Sequence, residues 1–327
     1  MPQWRDLPGF VREVSPRLAT ELPEPYYSTE AGAAYLGDAL ALTGLLADES
    51  VDLILTSPPF ALTRKKEYGN ASADEYVDWF LGFAAEFRRV LKARGSFILD
   101  LGGAYLPGAP VRSIYQYELL VRLCREAGFF LAQEFFHYNP SRLPSPAEWV
   151  TVRRVRVRDS VNVVWWLSRD RDPKADNRKV LQAYSESMEA LFRNGYKPKL
   201  RPSGHDISVN FARRNAGSIP PNLLTLANTE SNSAYLRRCR KAGLHPHPAR
   251  FPAQFPEFFI RFLTDPGDLV LDPFAGSNTT GFVAETLNRR WLAFELHEGY
   301  LRGSILRFCD PEETPLFPRV VTGASTE

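Results

Sequence analysis

The sequence predicts an α/β protein whose Rossmann-like open sheet is assembled in a circularly permuted order. A strand-length apolar run at 51–56 ends abruptly at Ser57-Pro58-Pro59-Phe60. A strand, small-residue loop, helix and strand follow only at 269–295. Such a unit normally opens a doubly wound sheet, yet only about 30 residues come after it, so the remaining strands must come from earlier in the chain.

The upstream motif brings three chemical groups to the end of a buried strand. Its two prolines cannot continue a strand ladder because they lack N–H groups and fix φ. Ligands of open α/β sheets bind at the carboxyl ends of the strands. We therefore expect Phe60 to stack on a flat ring while the Ser57 hydroxyl and the Pro58 carbonyl accept hydrogen bonds from an amino group. A strand that simply ends in a Pro-Pro turn is the alternative.

Two aspartates follow other predicted strands. Asp100 ends an apolar strand at 95–100, and we expect it to hydrogen-bond Ser57 and orient it. A turn cap before the next two glycines is the alternative for Asp100. Asp38 follows a short strand that ends near residue 36 and precedes a helix to about residue 46. It could cap that helix; a place in the cofactor or catalytic pocket is the alternative that a family resemblance implies.

The downstream unit has the features of a nucleoside-binding loop. Small residues at 275–281 allow a ligand to approach the backbone where a helix begins, and Asn278 or Thr279 could cap that helix. Glu295 stands 23 residues after Asp272, where an acidic residue commonly holds a ribose. The pattern Gly-x-Gly-x-x-Gly is absent, which argues against NAD or FAD. An ordinary strand–helix–strand crossover is the alternative.

The elements between the two motifs follow from periodicity. A capping box at 72–75 predicts a helix to about residue 92, whose aromatic face we assign to the core. A helix near 111–127, a strand near 129–138 and a Pro/Ser-rich boundary at 139–148 follow. Alternating Val and Arg within 150–166 predict a pair of strands with one basic face. A last helix is expected at 257–263.

The charges are strongly segregated, although the 327 residues carry a net charge of only +2. The segment 137–250 holds 21 Lys and Arg against 9 Asp and Glu, a net charge of +12, and the rest holds 19 against 29, a net charge of −10. DNA phosphates are the natural partner of such a segment. Arginine outnumbers lysine 32 to 8, which suits phosphate and guanine contacts or reflects codon bias in a GC-rich genome.

Other classes of protein are disfavoured. The three cysteines have no metal-ligand spacing, and no Pro-Cys nucleophile is present, which argues against a metal site and against methylation of cytosine C5. No stretch has the length and polarity of a membrane span, and the N-terminus is no signal peptide. We expect a cytoplasmic protein with no membrane partner.

Several long strings carry a family resemblance. They are Thr-Ser-Pro-Pro-Phe-Ala-Leu (56–62), Lys-Lys-Glu-Tyr-Gly-Asn (65–70), Arg-Pro-Ser-Gly-His-Asp-Ile (201–207), His-Pro-Ala-Arg-Phe-Pro (247–252) and Gly-Ser-Asn-Thr-Thr-Gly (276–281). With them the chain resembles, from about residue 35 to about 308, the β group of amino-directed DNA methyltransferases. The members of this group with Ser-Pro-Pro-aromatic act mostly on cytosine N4.

The resemblance implies an S-adenosylmethionine-dependent enzyme that flips a cytosine out of duplex DNA and methylates its N4. The long strings match one member of this group more closely than the group as a whole, and that closer resemblance implies the site CAGCTG and a cognate restriction endonuclease. The implied catalytic residues are Ser57, Pro58, Pro59, Phe60 and Asp100. The implied cofactor residues are Asp38, His247, Asp272, Pro273, Phe274, Gly276, Ser277, Asn278, Thr279 and Glu295. The basic candidates for DNA contact are Arg64, Lys65, Lys66, Arg153, Arg156, Arg201, Arg213 and Arg214.

The expected organisation is an N-terminal segment (1–34), a catalytic half (35–168), a target-recognition region (169–245) and a cofactor-binding half (246–327). The main alternative is an adenine-N6 DNA methyltransferase, which usually carries Asp or Asn in place of Ser57. A methyltransferase of RNA or of glutamine side chains would more often carry Asn-Pro-Pro-Tyr. A DNA-binding module without catalysis is the third alternative.

Overall fold

The computed structural model describes residues 22–60, 73–195, 213–228 and 233–309. Arg64, Lys65, Lys66 and Arg201, and the Ser72 end of the predicted capping box, lie outside these ranges. No helix within them is long and apolar enough to cross a membrane.

One mixed sheet of nine strands forms the centre of the described structure. The strands are β1 (Tyr27–Ser28), β2 (Gly32–Leu36), β3 (Val51–Thr56), β4 (Leu91–Leu101), β5 (Phe130–Tyr138), β6 (Val161–Ser168), β7 (Leu223–Thr225), β8 (Leu269–Asp272) and β9 (Arg290–Glu295). The helices are α1 (Ala39–Gly44), α2 (Ala73–Val90), α3 (Tyr115–Arg125), α4 (Glu186–Asn194), α5 (Ala234–Lys241), α6 (Gln254–Leu263), α7 (Thr279–Thr286) and α8 (Glu298–Ser304).

The strand order is permuted, as the sequence predicted. Across the sheet the order is β1-β2-β9-β8-β3-β4-β6-β5-β7. Strands β2, β9, β8, β3 and β4 are mutually parallel, whereas β6 runs antiparallel between β4 and β5. The last two strands of the described residues therefore lie inside the sheet, and β3 lies between the late strand β8 and the early strand β4.

Both faces of the parallel strands are covered, which explains their almost continuous apolar sequence. Ile54 of β3 packs in one core cluster with α1, α2 and α3, while Leu53 and Leu55 pack in a second cluster with α5, α6, α7 and α8. Successive side chains of a strand point to opposite faces, so one apolar run serves both clusters. The predicted core face of α2 is buried, including Phe80, whose ring stacks on Phe97 at 6.4 Å between centroids.

The prediction of two strands within 150–166 was wrong. Only β6 forms there, and residues Glu148–Val152 make a short π-helix. Arg154 has a left-handed backbone with φ of 54°. Arg156 donates to the Pro110 carbonyl at 2.8 Å and lies over the Tyr105 ring at 5.0 Å. This cluster holds the segment in an irregular path, which the Val/Arg alternation does not reveal.

Candidate active site

The carboxyl ends of β2, β3, β4, β8 and β9 open into one cavity of about 560 Å³. This volume lies in the range of small-molecule sites, and the position is the one where open α/β sheets bind ligands. We call the part lined by Asp272–Ser277, Thr279 and Glu295–His297 the cofactor half. We call the part lined by Ser57, Phe60, Asp100, His137, Arg142 and Asn162 the target half.

The cofactor half is shaped by backbone groups. Glu295 Oε2 accepts from the Gly276 N–H at 2.7 Å, and its Oε1 accepts from the His297 N–H at 2.9 Å. Burial raises the pKa of Glu295, and these backbone hydrogen bonds oppose the rise. Gly276 has φ of +52°, and a Cβ there would lie 3.2 Å from the His247 ring. Only glycine fits this tight approach without strain.

Asp272 joins the two halves. It is buried, and its carboxylate accepts from the hydroxyls of Thr56 at 2.7 Å and Thr280 at 2.6 Å. Burial raises its pKa to about 6, while the two hydroxyl donors oppose the rise. Because Thr56 immediately precedes Ser57, this hydrogen bond sets the loop after β8 against the start of the Ser-Pro-Pro-Phe motif.

Asn278, rather than Thr279, caps α7. Its side chain accepts from the Gly281 N–H at 3.0 Å and donates to the Tyr27 hydroxyl at 2.9 Å. The Asn278 side chain is thus committed to the core, and Asn278 is not one of the residues that line the cavity. Arg307, which the sequence did not single out, donates to the Ser277 carbonyl at 2.6 Å and to its hydroxyl at 2.8 Å. No motif marks an arginine 30 residues downstream of the loop it holds.

The other predicted cofactor residues line the cavity, namely Asp38, His247, Asp272, Pro273, Phe274, Gly276, Ser277, Thr279 and Glu295. Asp38 also caps α1, accepting from the Ala41 N–H at 2.9 Å, so both of its interpretations hold. Trp79 and Phe83 add an aromatic wall beside Phe274. The aromatic face of α2, predicted as core alone, therefore also reaches the cavity. The contacts of these residues with a cofactor stay predictions.

The target half is a network of polar side chains. Ser57 Oγ donates to Asp100 Oδ2 at 3.3 Å, the contact that the sequence predicted. Asn162 Nδ2 donates to Asp100 Oδ1 at 3.2 Å, and Arg142 donates to Asn162 Oδ1 at 3.0 Å. Burial raises the pKa of Asp100, which is 3% exposed; the charge of His137 and the hydrogen bonds from Asn162 and Ser57 oppose the rise.

The Phe60 ring lies directly against the backbone of Gly102. A Cβ at residue 102 would lie 2.4 Å from the ring, so only glycine leaves Phe60 in this position. The Tyr115 hydroxyl donates to the Gly102 carbonyl and so fixes this backbone. Ser57, Pro59 and Phe60 line the cavity, while Pro58 is buried between them.

Several lining residues were missed by the sequence analysis. They are Trp79, Phe83, His137, Asn139, Arg142, Asn162 and Asn228. They come from helices, strands and loops that are far apart in the chain, and they form no motif. His137 follows two phenylalanines in β5 and Asn162 stands between valines in β6, and a polar residue among apolar neighbours was the one signal that could have identified them.

The described arginines proposed to contact DNA differ in exposure and in whether their guanidinium groups already have partners in the protein. Arg153 is half exposed, and its nearest carboxylate, on Glu148, lies 3.8 Å away. Arg156 is engaged in the Tyr105 cluster, which makes it the weakest candidate. Arg214 is exposed and pairs with Glu189 at 2.8 Å, next to exposed Arg213. Their contacts with DNA stay predictions.

The permuted sheet, the loop after β8 and the Ser-Pro-Pro-Phe end of β3 define a class of protein. The chain belongs to the DNA methylase family, whose N6/N4 methylase model matches residues 51–306.

Within that class, the chain is 53% identical over 312 residues to the Type II methyltransferase M.PvuII of Proteus hauseri, covering 93% of each chain. It also matches the solved structure of the PvuII DNA methyltransferase (cytosine-N4-specific) with a TM-score of 0.73 and 47% identity, over 89% of this chain and 93% of that one. A putative DNA modification methylase from Thermus thermophilus, solved with S-adenosyl-L-methionine, shares the fold at a TM-score of 0.53 and 18% identity, over 87% and 95% of the two chains.

The family assignment confirms the predicted cofactor class, S-adenosylmethionine. The cofactor half suits such a molecule. The glycine at 276 leaves room for a ligand close to the backbone, and the half-buried Glu295 carboxylate offers acceptors for hydroxyl groups.

Proposed function

We propose that the protein transfers a methyl group to cytosine N4 in duplex DNA. The observation that carries the proposal is the placement of Ser57, hydrogen-bonded to buried Asp100, in the same cavity as the Gly276 loop and Glu295. This arrangement supports a role for Ser57 as the amino-group acceptor beside the proposed cofactor site. The similarity to the PvuII methyltransferase, whose solved structure is described as cytosine-N4-specific, supports cytosine N4 over adenine N6. Ser at position 57, rather than Asp or Asn, supports it too.

The chain's own residues would hold the target. When bound, S-adenosylmethionine supplies an electrophilic methyl group carried on a positively charged sulfur. Phe60, supported by Gly102, offers a flat surface on which a flipped cytosine can stack. The Ser57 hydroxyl donates a hydrogen bond to Asp100. The lone pairs of Ser57 Oγ therefore remain available to accept a hydrogen bond from the amino group. Together with the Pro58 carbonyl it draws the N4 lone pair out of ring conjugation, so placement and electrostatics supply most of the rate effect.

The proposed target site is CAGCTG, with the internal cytosine modified. The 53% identity extends over 93% of the chain, so it includes most of the basic segment that we propose to read the bases. We assign target recognition to 169–245, with Arg153, Arg201, Arg213 and Arg214 and the residues 64–66 as phosphate or base contacts. In this proposal the enzyme modifies DNA in a prokaryotic cytoplasm and protects it from an endonuclease that shares the site.

Nucleoside analysis of plasmid DNA from expressing cells tests the reaction. We expect N4-methylcytosine from the wild type and unmodified DNA from cells that express Ser57→Ala. Recovery of N6-methyladenine or 5-methylcytosine would overturn the proposal. Unmodified DNA from the wild type would favour a binding module without catalysis.

Protection mapping tests the site. A plasmid with one CAGCTG site and one GAGCTC site, which share the central four bases, should become resistant to cleavage only at CAGCTG. Equal protection of both sites, or protection of neither, would contradict the assigned specificity.

A further inference from the structure

His137 has an unusual environment for a buried polar side chain. It is 7% exposed and lines the cavity, yet neither Nδ1 nor Nε2 has a hydrogen-bond partner within the described residues. Its ring is held against Phe255 at 5.2 Å between centroids. Buried polar atoms are usually satisfied, so an unsatisfied pair in a cavity points to a ligand as the missing partner.

His137 belongs to the target half. It is the cross-strand partner of Asn162 in the β5–β6 ladder, and Asn162 donates to Asp100, which orients Ser57. Because cross-strand partners point to the same face of a sheet, the imidazole lies on the face that carries this network. The groups around Asp100 are therefore Ser57 from β3, Asn162 from β6, His137 from β5 and Arg142 after β5.

A flipped cytosine needs donors from the protein. Its amino group is a donor and would be held by Ser57 and the Pro58 carbonyl. Its ring acceptors, N3 and O2, lose their guanine partners when the base leaves the duplex. Within the described target half, Asn162 Nδ2 bonds Asp100 and one Arg142 N–H bonds Asn162, while His137 is the buried side chain whose two nitrogens both have no partner. An imidazole always carries at least one N–H.

The strand order indicates which acceptor His137 reaches. From β3, which carries Ser57, the sheet continues through β4 and β6 to β5, which carries His137. The two side chains thus come from positions three strands apart, so a base held at its amino group by Ser57 would turn the far end of its Watson–Crick edge toward His137. On cytosine that end is the O2 carbonyl; adenine has only C2–H there.

We propose that His137 donates a hydrogen bond to the O2 carbonyl of the flipped cytosine and so selects this base over adenine. The inference rests on the proposed cytosine-N4 activity and adds a residue that reads the base. A site built to hydrogen-bond a substrate group rejects an analogue that lacks the group.

The test pairs a variant with a base analogue. One CAGCTG duplex carries the target cytosine; a second carries a 2-aminopyridine C-nucleoside, which keeps the ring nitrogen and the amino group but lacks O2. Wild type should methylate the analogue about 10- to 100-fold more slowly in single turnover. His137→Phe keeps a ring against Phe255 but has no hydrogen-bond donor. It should methylate the cytosine duplex about as slowly as wild type methylates the analogue duplex, and its rates on the two duplexes should be nearly equal.

Binding gives a readout that does not depend on turnover. By fluorescence anisotropy, wild type should bind the cytosine duplex more tightly than the analogue duplex, and His137→Phe should bind both equally. His137→Gln, which retains an amide donor, should restore part of the preference. An equal analogue penalty in wild type and His137→Phe would overturn the inference, even if the variant is less stable, because the ratio compares substrates within one protein.

Two controls separate the possible failures. His297→Phe, in the cofactor half, should leave the cytosine-to-analogue ratio unchanged; a collapse of the ratio in this variant as well would count against a specific role for His137. Wild type must form N4-methylcytosine on the cytosine duplex. If it does not, the proposed function fails; if it does while His137→Phe keeps the wild-type ratio, only this inference fails.

Discussion

The two halves of the cavity are built by different means. The cofactor half is made by one short stretch, β8–α7–β9, and its key contacts involve backbone N–H groups and a glycine with positive φ. The target half is made by side chains from β3, β4, β5, β6 and the loop after β5, linked through Asp100 and Asn162. A molecule common to a whole family can be held by backbone, whereas a particular base requires particular side chains.

The substitution Ser57→Ala, in the target half, should have the largest effect on catalysis. Loss of the acceptor that orients N4 should lower kcat about 10²- to 10³-fold, as removal of one transition-state hydrogen-bonding group typically does. Affinities for S-adenosylmethionine and for DNA should stay within about twofold. Single-turnover methylation and equilibrium binding measure the two effects. Wild-type rates would mean that Ser57 only ends a strand. Ser50→Ala, whose hydroxyl bonds only the Ala47 carbonyl among the described residues, is the matched control.

Glu295→Ala should have the opposite signature. It removes the carboxylate that ties the Gly276 and His297 backbones together. We expect the Kd for S-adenosylmethionine to rise about 100-fold, since two charge-assisted hydrogen bonds and any ribose contact are lost. The rate at saturating cofactor should change little. Calorimetric titration with the exposed Glu298→Gln as control measures this. A fall in kcat with an unchanged Kd would place Glu295 outside the cofactor site.

Asp272 tests the junction between the halves through stability. Its folded-state pKa of about 6 lies above the unfolded value of about 3.9, so the folded state holds the proton more tightly. This contribution to stability is fully present below about pH 4 and is lost as the pH rises through about 6, a change of about 2–3 kcal/mol. Asp272→Asn lacks this titration. Denaturant unfolding should therefore show wild type losing stability relative to the variant between pH 4 and 7. If the difference in unfolding free energy between wild type and Asp272→Asn were the same at every pH, the raised pKa of Asp272 would be contradicted.

A pair of glycine substitutions gives the smallest effects and separates the halves most directly. Gly102→Ala should displace Phe60 and lower kcat/KM for DNA about tenfold, with cofactor affinity unchanged. Gly276→Ala should weaken cofactor binding about tenfold because of its positive φ and the nearby His247 ring. Gly82→Ala, with open space around its Cβ, should behave as wild type. If both active-site variants lose the same property, the halves are not separable.

The fold and the cofactor half could be predicted because their signals are contiguous. Asp272, Gly276 and Glu295 lie within one supersecondary unit with a known spacing, and its late position predicted the permuted order. The Ser57–Asp100 contact could also be predicted, because Ser57 directly follows β3 and Asp100 lies near the end of the neighbouring parallel strand β4.

His137 and Asn162 were not predictable in this way. Their pairing depends on the β5–β6 register, which shifts between Leu131 and Gln133. A one-residue shift exchanges the two faces of a strand, and no local pattern marks it. The prediction of a strand pair within 150–166 was wrong for a related reason. Tertiary contacts of Arg156 and Tyr105 override the alternation.

The late position of β8 and β9 in the chain has a consequence for synthesis on the ribosome. Strands β2 and β3 are made early, but each has an edge that pairs only with β9 or β8, more than 200 residues later. Until residues 269–295 emerge, these apolar edges stay open, and such unpaired edges are prone to aggregation. The cofactor half does not exist in the nascent chain before these residues emerge, so cofactor binding cannot assist early folding. A ribosome stalled before residue 269 would therefore carry a chain that chaperones must protect.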